Sequence, residues 1–403
     1  MATQWVIAVD EKPPHSAASN PRACLTDAVN ASHSTFISAW GDLARDTAEP
    51  NAFNESWYLL PALAQFDPHG KTALFVLWEG AAAQSPMLGL MPISQEKQYG
   101  RWPIHNVQNW LHPNAFLGSP LVRKGYEEAF WRALLAHLDD MPIRGLFFHL
   151  NGLPIGGPLQ MALEQVAHQQ LRRSALVHST ERAMLEGSIT PEAYYETAMR
   201  SKKRKELRRQ KNRLAEMGAL HFTRSQGAAG LEQWTGEFLA LERRGWKGAN
   251  GSALDCADDT RALFKAALAG AAAQGRLELL DLRLDGAPLA MLVNFLCSPA
   301  GFSYKTAFDE DYARFSPGVL LQYENLSLLE RSDIDYCDSC AVQGHPMIDS
   351  LWTGRRAIGR YSVAIGSTGR RALFAGLLRA ELARGRQTAK TPSTIERQGE
   401  DDQ

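Results

Sequence analysis

Two apolar runs dominate the first half of the chain, Thr72–Glu79 and Met87–Ser94, separated by the small-residue stretch Gly80–Pro86. Runs of this length and composition, bounded by turn residues, predict two strands joined by a turn. The period then changes. Phe130, Leu134 and Leu138 recur every fourth residue, which predicts a helix over Tyr126–Asp139. Gly145–Leu150 reads as a further strand, and Pro154-Ile-Gly-Gly-Pro158 as a rigid turn before another helix.

The second half is more regular. Thr190-Pro191-Glu192 supplies a capping hydroxyl, a proline at the first helical position and an acid in the first turn, so a helix is predicted from there to Gly218. A short strand, Ala219–Arg224, follows. Leu231, Trp234, Phe238 and Leu241 mark a helix over 231–244; Leu263, Phe264, Ala267, Leu268 and Ala271 mark another over 258–274. Three strands come next: Arg276–Leu284, a hairpin turn at Asp285-Gly286, Ala287–Ser298, and Phe302–Phe308. Ser316-Pro317-Gly318 opens a helix, Val319–Leu329; then come a strand at Asp333–Asp338, a helical stretch around Pro346–Ile358 and a last strand near Tyr361–Ile365. Antiparallel runs interleaved with helices predict an α+β fold rather than a doubly wound one. Residues 1–30 read as a loose leader, 31–187 and 188–370 as two domains, and 385–403 as a disordered tail.

Composition agrees with packed domains: 403 residues, 45% of them hydrophobic. The net charge of −1 excludes a globally basic nucleic-acid coat, but it conceals an asymmetry. Residues 200–213 hold nine basic residues and one acid, leaving 34 basic against 43 acidic residues elsewhere. Met1 to Asn20 lacks the basic-then-apolar pattern of a signal peptide, no long apolar span occurs, and five cysteines are too few for a disulfide framework. A cytoplasmic location is expected. Cys337-Asp-Ser-Cys340 has metal-ligand spacing but only His345 nearby, so no metal is expected.

The element order from 219 is that of the GNAT acyltransferase fold. Residues carry the likeness further: Leu239-Ala-Leu-Glu-Arg-Arg-Gly-Trp-Lys-Gly248, Phe302-Ser-Tyr-Lys-Thr-Ala-Phe-Asp309, Tyr312-Ala-Arg-Phe-Ser-Pro-Gly318 and His345-Pro-Met-Ile-Asp-Ser-Leu-Trp352. Over about 190–365 the chain resembles the BioF2-like acetyltransferase domain, a GNAT branch often encoded with cellulose or exopolysaccharide synthesis and similar to the Fem peptidyltransferases. The first half resembles the companion domain through Asn51-Ala-Phe-Asn-Glu-Ser-Trp57 and Phe116-Leu-Gly-Ser-Pro-Leu121. The resemblance implies a tandem GNAT-like fold.

It also implies acetyl-CoA or another acyl-CoA as donor, and N-acylation (O-acylation is the variant) of a sugar or polysaccharide precursor in exopolysaccharide or cell-envelope biosynthesis. The third meander strand and the strand after it splay apart in that fold, here Phe302–Phe308 and Asp333–Asp338. The loop before the next helix would cradle the pyrophosphate: Ser316, Pro317 and Gly318, with Arg314 adding charge. Tyr304, Asp309 and Asp338 are the catalytic candidates, Asp338 as general base. Strand alternation puts Tyr304 and Thr306 on one face and Lys305 on the other. Trp246 and Lys247, between Gly245 and Gly248, would meet the acceptor, as would Lys305.

The basic helix, with Arg204 and Arg208, has a thin apolar seam and must largely face water or an anion. An anionic sugar nucleotide or lipid-linked glycan is the expected partner, with transient association at a membrane surface; RNA is the less expected one. Two alternatives stand beside this reading. One is a Fem-like transferase using aminoacyl-tRNA. The other is a degenerate scaffold that binds a partner or nucleotide signal, motivated by the single glycine, Gly318, in a loop that usually carries more.

Overall fold

The computed structural model describes residues 21–80, 85–140, 145–187 and 189–388. The first half contains β1 (Arg22–Thr26), α1 (Ala28–Ala31), α2 (Ser34–Arg45), α3 (Ser56–Phe66), β2 (Ala73–Trp78), β3 (Met87–Glu96), β4 (Asn106–Asn109), β5 (Leu121–Val122), α4 (Glu127–Asp140), β6 (Phe147–Pro154), α5 (Pro158–Gln169) and β7 (Ser174–Glu186). The second begins with α6 (Pro191–Ala198), α7 (Ser201–Ala215), β8 (Leu220–Gln226), α8 (Leu231–Arg244), α9 (Trp246–Ala249) and α10 (Asp258–Ala273). It continues through β9 (Leu277–Leu284), β10 (Ala287–Cys297), β11 (Ala300–Phe308), α11 (Pro317–Glu324), β12 (Tyr336–Asp338), α12 (Pro346–Asp349), β13 (Gly354–Ala364) and α13 (Thr368–Thr388).

All strands join one mixed sheet, in the order β1-β2-β3-β4-β6-β13-β7-β12-β11-β10-β9-β8, with β5 paired to β3. The order has a pseudo-twofold. Read from one end, four antiparallel strands lead to a parallel pair, β4 and β6, and then to β13 and β7. Read from the other end, four antiparallel strands lead to a parallel pair, β11 and β12, and then to β7 and β13. Each half therefore completes its sheet with a strand of the other. The expected division near 187 does not separate the sheet, because β13 from the far end of the chain lies between β6 and β7.

Helices cover the sheet and weld the halves. Trp57 on α3 packs against Gly270 on α10, where a Cβ would lie 2.9 Å from the Trp57 backbone carbonyl. Phe53, Tyr58, Phe238, Phe264, Phe295 and Tyr304 share one apolar cluster drawn from both halves. Each such aromatic stabilises the fold by roughly 1.5–3 kcal/mol through burial. Asp285 and Gly286 turn the β9–β10 hairpin with φ of 49° and 83°, the left-handed pair that such a two-residue turn requires.

Several elements differ from the sequence-based expectation. Residues 1–20 of the leader lie outside the described residues, while Arg22–Thr26 are a sheet strand paired with β2. The single helix expected from Pro191 to Gly218 is two, because Met199 is extended (φ −119°, ψ 128°) and buries its side chain beside Trp352. The helical stretch around Pro346–Ile358 ends at Asp349, and β13 begins at Gly354. The expected tail starts inside α13, anchored by Phe374 stacking on Phe147 at 5.1 Å; residues 389–403 lie outside the described residues. Among the described residues no helix is long and apolar enough to cross a membrane.

Candidate active site

Strands β11 and β12 pair over three residues only, Ala300–Phe302 with Tyr336–Asp338. β11 then runs on to Phe308, whereas the other strand ends and Cys340 turns left-handed at φ 53°. The divergence opens a cleft of about 670 Å³. Its floor is Tyr304, Lys305 and Thr306; Glu242, Trp246 and Lys247 form one wall, and His345, Pro346 and Met347 another. Phe116 from the first half closes the end.

A bulge sets what the floor presents. Val293 lies opposite Lys305 and Asn294 opposite Ser303, so Tyr304 has no opposite number. The extra residue resets the alternation. Tyr304 and Lys305 both reach toward the first half, whereas Thr306 Oγ1 accepts from Gln322 on α11 at 3.5 Å, on the other side. The expected grouping of Tyr304 with Thr306 is thus corrected.

Lys305 Nζ donates to Asn114 Oδ1 at 3.1 Å and lies 5.2 Å and 5.5 Å from the ring centres of Phe116 and Tyr304. Burial, helped by the nearby Lys247 charge and opposed by Glu242, pushes its ammonium down to a pKa of about 8. Tyr304 is fully enclosed, its hydroxyl 3.2 Å from Tyr58, which itself donates to the Asn114 carbonyl at 2.5 Å. Burial raises the Tyr304 phenol, so it stays a neutral hydrogen-bonding group that positions the Asn114 loop. His345 is half-buried, its pKa lowered by burial, and its Nδ1 is shielded with no hydrogen-bond partner. A neutral imidazole is therefore present on the cleft wall at neutral pH.

Trp246 stands at the cleft mouth, 54% exposed, its backbone N–H donating to Glu310 at 2.6 Å. The turn beneath it needs Gly248, where a Cβ would fall 1.7 Å from the Arg243 carbonyl. Lys247 pairs with buried Glu242 at 2.8 Å, which also accepts from the Leu254 N–H.

Other candidates lie elsewhere. Asp338 is fully buried and saturated: it accepts from Arg182 at 2.7 Å, Arg356 at 2.9 Å and the Cys340 N–H at 2.9 Å. Burial alone would raise its carboxyl, but the two guanidinium groups outweigh that and hold it below its ordinary value. A carboxylate so committed ties β12 to β7 and β13 and is not placed to take a proton from a ligand. Asp309 caps the 3-10 turn Glu310–Phe315 through the Asp311 N–H and does not line the cleft.

At the foot of α11, Ser316 is left-handed (φ 53°), and Pro317 and Gly318 are buried. A Cβ on Gly318 would meet the Met347 sulfur at 2.6 Å and Phe308 at 3.4 Å, so the Cα side of the expected cradle is packed. Arg314 is exposed, over the ring of Phe315 at 4.7 Å. Arg204 and Arg208 line a different groove, between α6, α7 and α11. Sequence reasoning passed over His345, Asn114 and Glu242 as site residues; the His-Pro helix start was the one local signal.

The pseudo-twofold supplies a second cleft. β4 ends at Asn109 while β6 continues, leaving a groove of about 570 Å³ lined by Glu96, Gln108, Trp110, Asn151 and Thr180. It shares Phe116 and Cys340–Val342 with the first cleft, so the two are neighbours across one loop.

Comparisons with known proteins now bear on this geometry. Residues 201–341 match the family model described as an acetyltransferase (GNAT) domain. By sequence, the chain matches none of the curated proteins. Among solved structures it is similar to a conserved protein of unknown function from Bacteroides thetaiotaomicron VPI-5482, at 14% identity and TM-score 0.53, covering 82% of this chain and 97% of that one. It is also similar to FemX, at 9% identity and TM-score 0.53, covering 81% and 95%. A tandem GNAT protein from the clavulanic acid biosynthesis pathway matches at 15% identity and TM-score 0.40, covering 87% and 100%. The fold is α+β and like that of FemX, and residues 201–341 within it are similar to an acetyltransferase (GNAT) domain.

Proposed function

We propose that the protein is an acyl-CoA-dependent N-acyltransferase acting on a sugar or polysaccharide precursor of exopolysaccharide or cell-envelope biosynthesis, with transfer in the β11 cleft. The observation that carries this reading is Lys305: a half-buried ammonium of lowered pKa, held by Asn114 at 3.1 Å, beside the stretch of β11 that β12 leaves unpaired. Acyl transfer needs a positive group where the tetrahedral oxyanion develops, and a proton for the leaving thiolate. Lys305 serves both needs, since an acid near pH 8 is well matched to a thiol. The His345 imidazole, on the cleft wall, takes the proton from the acceptor amine as its nitrogen attacks the thioester carbonyl. A C–N bond forms, the C–S bond breaks, and the Lys305 proton leaves with the thiol.

The acceptor approaches from the neighbouring groove. Gln108, Asn151 and Thr180 offer amide and hydroxyl groups suited to sugar hydroxyls, and half-buried Trp110 gives an amphipathic wall. Trp246 covers the cleft mouth.

One observation favours a second reading. Met347 and Phe308 pack against Gly318 at the start of α11, where the pyrophosphate cradle was expected. A donor with its carrier elsewhere, such as an aminoacyl-tRNA, has no need of that position and would meet the exposed basic face of α7. The test is thiol release from acetyl-CoA and longer acyl-CoAs, with a panel of amino sugars as acceptors. Acceptor-dependent release, lost in Lys305→Met, is expected. No release above buffer with any acyl-CoA, together with turnover of a charged tRNA, would replace the first reading with the second.

A further inference from the structure

Helix α7 places Ser201, Arg204, Arg208 and Lys211 on one stripe by their three- and four-residue spacing. That stripe faces α6 and α11 across a groove of about 630 Å³. Its charges are incompletely met. Arg204 approaches Glu196 no closer than 3.7 Å, and its Nη1 is shielded from water with no hydrogen-bond partner. Lys211 pairs loosely with Glu324 at 3.6 Å and lies 4.6 Å from the Phe222 ring centre. Arg208 has no ion pair among the described residues. On the outer side of the same helix Arg209 is paired with Glu206 at 2.7 Å. The opposite wall carries Glu192 and Glu196 together with Tyr195 and Tyr323, which meet edge to face at 4.5 Å, both half-buried.

The Arg204 side chain is partly exposed in the groove, and a phosphate there would meet guanidinium N–H groups with short charge-assisted bonds. Bare phosphate would use the basic stripe and leave the tyrosine wall idle. A planar ring joined to phosphates uses both. We infer that the groove between α6, α7 and α11 binds a nucleotide-class ligand, at a site that shares no lining residue with the transfer cleft. The inference does not depend on the acyltransferase reading.

Calorimetric titration with ATP, AMP and inorganic pyrophosphate at fixed ionic strength tests it. ATP is expected to bind one-to-one and at least tenfold more tightly than pyrophosphate, with AMP between them. Arg204→Glu with Arg208→Glu is expected to weaken ATP at least tenfold. Lys202→Glu with Arg213→Glu, the same charge change off the groove, is expected to stay within twofold. Arg208→Gln alone, at an exposed position, keeps the test if the first pair fails to fold, with a loss of about fivefold expected. Lys305→Met, in the cleft, is expected to leave ATP binding unchanged. No ATP binding at millimolar concentration, equal losses in both charge-reversed pairs, pyrophosphate binding as well as ATP, or loss of ATP binding in Lys305→Met would each overturn the assignment.

Discussion

Lys305 on β11 and Asn114 in the loop after β4 meet at 3.1 Å, so an ammonium in the second half is held by a carboxamide of the first. The contact makes the cleft a property of the paired halves. It also places a charge where the fold would be more stable without one.

Substituting Lys305 separates those two effects. Its pKa of about 8 in the fold lies below the ordinary 10.5, so the unfolded chain binds more protons between those limits and stability rises with pH across that window. Below about pH 8 the fold bears the full cost of the buried charge, on the order of 3 kcal/mol. Lys305→Met is expected to raise the melting temperature at pH 7 while lowering kcat about 10²–10³-fold. Wild-type activity is expected to fall as pH rises past about 8. Calorimetric melting and a pH–rate profile check both.

Asp338 should behave in the opposite way. Asp338→Asn leaves Arg182 and Arg356 buried beside a neutral partner, a loss of about 3–5 kcal/mol. Its carboxyl is lower in the fold than in the unfolded chain, so its contribution is present above the ordinary carboxylate pKa and is lost as pH falls through the lower folded value. Denaturant unfolding is expected to reveal the loss, while the folded fraction keeps its kcat. A kcat that collapses in fully folded protein would restore Asp338 as a base.

His345→Gln is expected to lower the rate by about 10²–10⁴-fold and to remove the acidic limb of the pH profile. That limb should lie below the ordinary histidine value, because burial lowers the imidazole pKa. An unchanged limb would assign it to another group.

Met347 covers Gly318 with its sulfur. Met347→Ala is expected to uncover the start of α11 and to tighten acetyl-CoA binding several-fold. Weaker binding would mean that the methionine is itself part of the donor site.

Much of this was legible in the sequence. Asp285-Gly286 marked the hairpin, and the spacing of Trp234, Phe238 and Leu241 marked α8 to the residue. Strand β7 was not foreseen, because His178-Ser-Thr-Glu-Arg182 is polar: its backbone sits mid-sheet while its side chains line an open groove. The bulge at Tyr304 reverses a two-residue alternation, and strand periodicity has no signal for it. Asp338 looked like a base because a carboxylate near a splayed strand is one; its two arginines lie 156 and 18 residues away and come together only in the sheet. Arg204 and Arg208 were seen as anion-facing, but not on which side of α11.

The most direct test of the acyltransferase account is calorimetric titration of acetyl-CoA into the wild type. Saturable one-to-one binding is the expected result. No binding at millimolar acetyl-CoA, in a protein that is folded and melts cooperatively, would contradict it.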